Sequence, residues 1–289
     1  MRFFIDKQTR MLIHGINNPV GQAIIEDYSR KSIIVVGGIE AGEGGGWCAD
    51  GRIPIFDSVQ SGQIATSSDA IIICVPPHKG YDAIIESFEA KIPSVVCLTG
   101  DIPLSDLSKI RSALGKYDIQ FIGPGSYGII SPGIIVLGAD NWIGTRKGHT
   151  GLISYSESIA LETALMLGKN GFGISTAIGL GRKGYLGVGL IDTLQRFNQD
   201  PETDSIVLIE NALTGYDEAT SAFIMDSISK PLVVYLPEIK NPAEEIFSFT
   251  GLKDSLSYQR YQLKIDDILK TGVPMAGNVI EIVDILRNL

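Results

Sequence analysis

The chain has 289 residues, 44% of them apolar and 20% charged, enough apolar material for one large core or two modest ones, which excludes disordered and fibrous classes. Lysine and arginine number 24 against 33 aspartates and glutamates, for a formal net charge of −9 and a pI near 4.9. The basic footprint of phosphate-backbone binding is missing, so no nucleic-acid partner is expected. Three cysteines, Cys48, Cys74 and Cys97, form no CxxC pair and cannot close a complete disulfide set, which points to a reducing, cytoplasmic compartment with buried free thiols at 74 and 97. No apolar run approaches the roughly 18 residues of a membrane span, so no membrane association is expected.

Taken in chain order, short runs rich in β-branched residues predict strands at 11–13, 32–36, 70–74, 94–98 and 120–122. Between them, 20–30, 80–91 and 104–116 read as helices, since Ile24 and Tyr28, and likewise Ile84 and Phe88, stand one turn apart. Such alternation predicts a parallel sheet. A stretch rich in Gly, Pro and Trp, 123–148, shows no period of its own. The alternation then restarts with strands at 151–154, 174–178, 205–210 and 232–236 and helices at 158–170, 190–197 and 217–229. The expected organisation is therefore an α/β domain over 1–122, a linker over 123–149 and a second α/β domain over 150–289.

In open parallel sheets ligands sit beyond the carboxyl ends of the strands. The first such loop contains Gly15, Asn17, Asn18, Pro19, Val20 and Gly21 directly before a helix, a place suited to a phosphate-bearing small molecule or simply to a tight turn. Its spacing is not GxGxxG, and Val35 and Val36 run into Gly37 and Gly38 rather than into an acid that could hold a ribose, so NAD is disfavoured. The glycine-dense loop 37–46 either folds over a ligand or is a flexible connector. Leu98, Thr99 and Gly100 follow the fourth strand, and His78, beside two prolines, reads as a surface or hydrogen-bonded histidine rather than a catalyst. No nucleophile elbow, catalytic triad or metal-ligand cluster is visible, so no metal is expected. In the second half, Ser154 and Ser156 either bind an anion or cap a helix. Arg182 and Lys183 lie in another glycine loop, and Glu210 closes an apolar strand, where a carboxylate is costly unless it faces a site or a partner.

The order and spacing of these motifs resemble the α subunit of succinate–CoA ligase of the NDP-forming type, with the related acyl-CoA synthetase and ATP-citrate lyase modules. The resemblance covers nearly the whole chain. It runs from Asp6-Lys7-Gln8-Thr9 and Gly15 to Gly21 through Pro54-Ile55-Phe56, Val75-Pro76, Thr99, Ile102-Pro103, Gly123-Pro124 and Ser131-Pro132-Gly133 to Ile191-Asp192, Asp200-Pro201, Ile209-Glu210 and Lys230-Pro231. It implies an N-terminal Rossmann-like CoA-binding domain and a C-terminal flavodoxin-like ligase domain, both with parallel sheets. It further implies CoA as cofactor along Asn17 to Val20, the loop at 43, and Leu98 to Gly100. The implied partner is an ATP-grasp β-like subunit, with a homodimer as the other arrangement.

Departures from the family pattern gather at the chemistry. The family passes a phosphoryl group through a histidine in a Gly-His-Ala-Gly context; here the stretch reads Ser248-Phe249-Thr250-Gly251, and no histidine follows His149. The family's loop lysine is Glu43, which weakens the case for CoA by repelling its phosphates. An arginine of the phosphate loop is Tyr155, a small residue is Glu157, and a glycine-aspartate pair is Arg182-Lys183. The expectation is an α-subunit-like protein that binds CoA or a related nucleotide without the phosphohistidine relay, as a non-catalytic subunit or ligand sensor. The alternative is an acyl or carbamoyl transferase or ligase of altered chemistry, in which Arg182, Lys183 and Glu210 orient an anionic substrate.

Overall fold

The computed structural model describes residues 6–138, 142–181, 187–211, 216–237 and 251–289, with the backbone alone for 251–258. The chain forms two compact units, one of Arg2–Ile143 with Ile178–Val188 and the other mainly of Gly144–Ala177 with Gly189–Leu289.

In the first unit the elements are β1 (Met11–His14), α1 (Pro19–Lys31), β2 (Val35–Ile39), β3 (Trp47–Cys48), β4 (Ile53–Phe56), α2 (Val59–Thr66), β5 (Ala70–Ile73), a 3-10 turn (Pro77–Lys79), α3 (Gly80–Glu89), β6 (Ser94–Cys97), α4 (Leu104–Leu114) and β7 (Gln120–Ile122). The sheet order is β3-β4-β2-β1-β5-β6-β7. The pairings that join β4, β2, β1, β5, β6 and β7 are parallel and that of β3 with β4 is antiparallel, so the expected parallel sheet is in fact mixed at one edge. Counted by parallel strands, the order is third, second, first, fourth, fifth, sixth, the arrangement of the Rossmann fold. β5 and β6 are buried along their whole length, which is why they read as unbroken apolar runs. Phe88 on α3 meets Phe121 on β7 edge to face at 5.3 Å, closing the core that Leu12, Ile71, Ile73 and Val95 line from the sheet.

β2 departs from expectation. It runs through Gly37 and Gly38 to Ile39, because both glycines serve packing rather than a turn. A side chain at Gly37 would stand 2.6 Å from the Phe56 ring, and one at Gly38 would overlap Ile16. The aperiodic stretch after β7 also holds structure: β8 (Gly128–Ser131) and β9 (Ile135–Gly138) form an antiparallel hairpin. Gly128, at φ +99°, is required there, since any side chain would meet the Leu137 carbonyl.

The second unit runs β10 (Lys147–Ser154), α5 (Glu157–Lys169), β11 (Ile174–Gly179), α6 (Leu190–Gln199), β12 (Ser205–Ile209), α7 (Glu218–Ser227), β13 (Leu232–Tyr235), α8 (Gly251–Lys270), β14 (Met275–Ala276) and α9 (Val279–Asn288). Its strands follow the order β14-β13-β12-β10-β11, which is the flavodoxin-like arrangement read from the far edge. A side chain at Gly151 would stand 2.5 Å from the Phe197 ring, so this glycine lets α6 lie close on β10. No helix among the described residues is long and apolar enough to cross a membrane.

The fully buried Tyr28 hydroxyl of α1 donates to the Gly138 carbonyl at 3.0 Å and accepts from the Gly138 N–H at 2.9 Å. Tyr28→Phe removes one partner from each of these backbone groups and is expected to cost about 1–3 kcal/mol in urea unfolding.

Candidate functional site

The chain order reverses between β1 and β5, the switch point where open α/β sheets bind ligands. Asn18 spans it. Its amide nitrogen donates to the Cys74 carbonyl beyond β5 at 2.6 Å, while its amide oxygen accepts from the Gly21 N–H at 2.9 Å and so caps α1. Gly15, at φ +89°, has no room for a side chain beside that amide, and one at Gly21 would meet the Gly15 carbonyl. Pro19 opens the helix and, with Val20 and Asn17, faces solvent. No acid lies in the first turn of α1, so its positive end is left for an outside anion.

The next two loops complete the rim. Thr99, buried, donates its hydroxyl to the Val75 carbonyl at 2.7 Å and accepts from the Gly125 N–H at its own carbonyl. Its side chain therefore ties loops together, leaving Leu98 and Gly100 half-buried beside it. The glycine loop is not a loose connector. Asp57 accepts from the N–H groups of Gly42 and Gly44, each at 2.9 Å, and Gly45 and Ile55 pair across to β4. Glu43 then accepts from the Asn17 side chain at 2.5 Å, joining this loop to the one that opens α1.

Because β2 is longer than expected, Glu40 follows it directly. An acid does stand where a ribose would need one, which removes one of the two grounds on which NAD was disfavoured; the spacing of the glycines, which is not GxGxxG, remains. Its charge reaches the Cys74 thiol at the end of β5. Cys74 and Cys97 are buried free thiols pushed up to about 12, by burial above all, and so are inert. His14 ends β1 with its Nδ1 buried and without a hydrogen-bond partner among the described residues, and burial, then the Lys79 charge, lowers its pKa to about 4. His78 is exposed.

In the second unit the chain order reverses between β10 and β12, so Tyr155 and Glu210, which follow them, flank the switch point. The Ser154 hydroxyl accepts from the Ser156 N–H and donates to the Ser156 carbonyl, both at 2.9 Å, and Ser156 caps α5 by accepting from the Ile159 N–H. Both hydroxyls are thus already engaged in shaping the turn. Tyr155 has a buried hydroxyl without a hydrogen-bond partner among the described residues, and burial, with the charges of Glu210 and Asp217, holds its pKa well above the usual tyrosine range. One Glu157 oxygen is likewise buried and unpaired.

Glu210 is the centre of this region. Its side chain is completely buried and meets Lys264 of α8 at 3.0 Å, while Lys264 also donates to the Asn211 carbonyl. Burial pushes the carboxyl up to about 7, against the opposing pull of Lys264. Sequence reasoning singled out Glu210 but not its lysine, which lies in a helix of mixed charge with no motif around it. Arg182, Lys183 and Phe249 lie outside the described residues. No cluster of metal-ligating side chains occurs among the described residues.

The CoA binding domain family model matches residues 6–100. Succinate–CoA ligase [ADP-forming] subunit alpha of Aquifex aeolicus is 30% identical over 253 residues, 87% of this chain and 82% of that protein. The protein of the same name from Staphylococcus aureus is 28% identical over 285 residues, 98% of this chain and 93% of its own. A solved ATP citrate lyase from Methanothrix soehngenii, in complex with citrate and coenzyme A, superposes on 99% of this chain with a TM-score of 0.80 at 20% identity, and this chain spans 51% of that one. A Rossmann-ordered CoA-binding region and a flavodoxin-ordered ligase-like region define the class. The chain belongs to the succinate–CoA ligase α-subunit family.

Two measurements test the site. His14 has a folded-state pKa below its ordinary 6.5, so the unfolded chain binds the proton first and stability is lost as pH falls from about 6.5 toward about 4. Between pH 8 and about pH 4.5 the wild type should lose about 2–3 kcal/mol more unfolding free energy than His14→Gln. Lys264→Met, which strands a buried carboxylate, is expected to cost about 3–5 kcal/mol in denaturant unfolding at pH 8, and adding Glu210→Leu should restore most of it.

Proposed function

We propose that this chain is a ligand-binding α-type subunit that holds CoA or a close relative at the β1–β5 switch point and does not pass a phosphoryl group through a histidine of its own. The observation that carries this reading is the buried Glu210–Lys264 ion pair. A buried carboxylate at a switch point has to be neutralised, and here a lysine of the same chain does so. The surroundings oppose a phosphoryl dianion: α5 begins with Glu157, and Tyr155 faces the charges of Glu210 and Asp217. By the resemblance Phe249 takes the family's histidine position, and no histidine follows His149.

CoA is the proposed cofactor, with Gly15 to Gly21 and Leu98 to Gly100 as its cradle. The CoA binding domain match over 6–100 supports it. The proposed partner is an ATP-grasp β-like subunit, since the relatives are named as α subunits, and the proposed compartment is the cytoplasm. Ser154 and Ser156 are the candidate anion ligands of the second unit, and Arg182 and Lys183 are candidate anion ligands of their own glycine loop. No observation favours the acyl or carbamoyl transfer reading.

Incubating the purified chain with a β subunit from a family relative and γ-labelled ATP tests the reading. The expected result is no acid-labile label on this chain, while the relative's own α subunit becomes labelled under the same conditions. Label on this chain would overturn the proposal.

A further inference from the structure

The ligand site of the first unit is given by the CoA binding domain match and the switch point, and the charges around it bear on which ligand it takes. In Rossmann-ordered sheets the ribose of a bound dinucleotide lies at the end of the second strand, about 20 residues beyond the glycine turn. An acid there accepts from a free ribose hydroxyl, and a cation accommodates a ribose phosphate. In this chain the residue at the end of β2 is Glu40. Beyond it, Glu43 is fastened to Asn17 and so held against the loop that opens α1. The N–H groups of Gly42 and Gly44, which would otherwise suit an anion, are taken by Asp57. No lysine or arginine occurs between Lys31 and Arg52, and Arg52 is turned to the Ala49 carbonyl and Asp50.

From this placement we propose that the site selects a pantetheine-bearing adenine nucleotide with an unphosphorylated ribose, 3′-dephospho-CoA, over CoA itself, with Glu40 and Glu43 as the specificity-determining residues. The inference rests on the reading that this site takes a CoA-type ligand. The diphosphate, common to both molecules, meets the uncompensated positive end of α1. The ribose meets carboxylates, which accept from a diol and repel a phosphate dianion. A bridging amide from Asn17 keeps Glu43 in place, so the repulsion is not relieved by the loop swinging away.

Calorimetry on the full chain with CoA and with 3′-dephospho-CoA decides it. The expected result is tighter binding of 3′-dephospho-CoA by about tenfold or more, with the preference lost in Glu43→Gln, which keeps an acceptor for Asn17, and reversed in Glu43→Lys. CoA binding as tightly as its dephospho form, or a preference unmoved by both variants, overturns this inference and leaves the CoA-type site standing. Failure of both nucleotides to bind overturns the site reading, and the inference with it.

Discussion

A single side-chain amide holds the ligand surface of the first unit together. At the switch point β1 and β5 lie side by side but their connections leave in opposite directions; the Cys74 N–H still donates to the His14 carbonyl at 3.0 Å, and the Cys74 carbonyl beyond it needs a partner from outside the sheet. Asn18 supplies that partner on one side and caps the first turn of α1 on the other. The glycines at 15 and 21 are the steric condition for this arrangement. The remaining contacts follow from it: Asn17, next in the chain, can reach Glu43, and Thr99 can fasten the loop after β6 to the one after β5. An amide at 18 thus positions a surface built from four separate loops.

The second unit solves the analogous problem with charge. Its switch point lies between β10 and β12, and the residue beyond β12 is a carboxylate removed from water. Alone it would be expensive, and Lys264 supplies the counter-charge from a helix more than 50 residues further along the chain. The pair also draws α8 onto the sheet end, since Lys264 donates to the Asn211 carbonyl as well. This buried pair is the contact on which the proposed binding without phosphoryl relay rests.

Much of this was legible in the amino-acid sequence, and the failures have physical reasons. β5 and β6 were plain because a strand buried on both faces is an unbroken run of Ile and Val. The end of β2 was misplaced because Gly37 and Gly38 carry the signature of a loop, whereas they are glycines only because Phe56 and Ile16 press against them. With β2 carried through to Ile39, Glu40 stands at its end. The β8–β9 hairpin was not legible because its apolar runs are set among Gly128, Pro132, Gly133 and Gly138, residues that read as loop. Capping at Ser156 was foreseen as one of two options, since a hydroxyl before a helix has the same appearance in either role. Lys264 was out of reach: nothing local distinguishes a lysine that turns inward from its neighbours that face solvent, and only the fold brings it to Glu210.

Asp57 has a consequence for the speed of recognition. By accepting from Gly42 and Gly44 it does for the glycine loop what a bound phosphate does in many nucleotide sites. The loop is therefore shaped before any ligand arrives, and an incoming molecule meets a finished surface without first ordering five glycine-rich residues. Encounter should be governed by diffusion and charge rather than by folding of the loop, and differences in affinity among ligands should show in how slowly each one leaves.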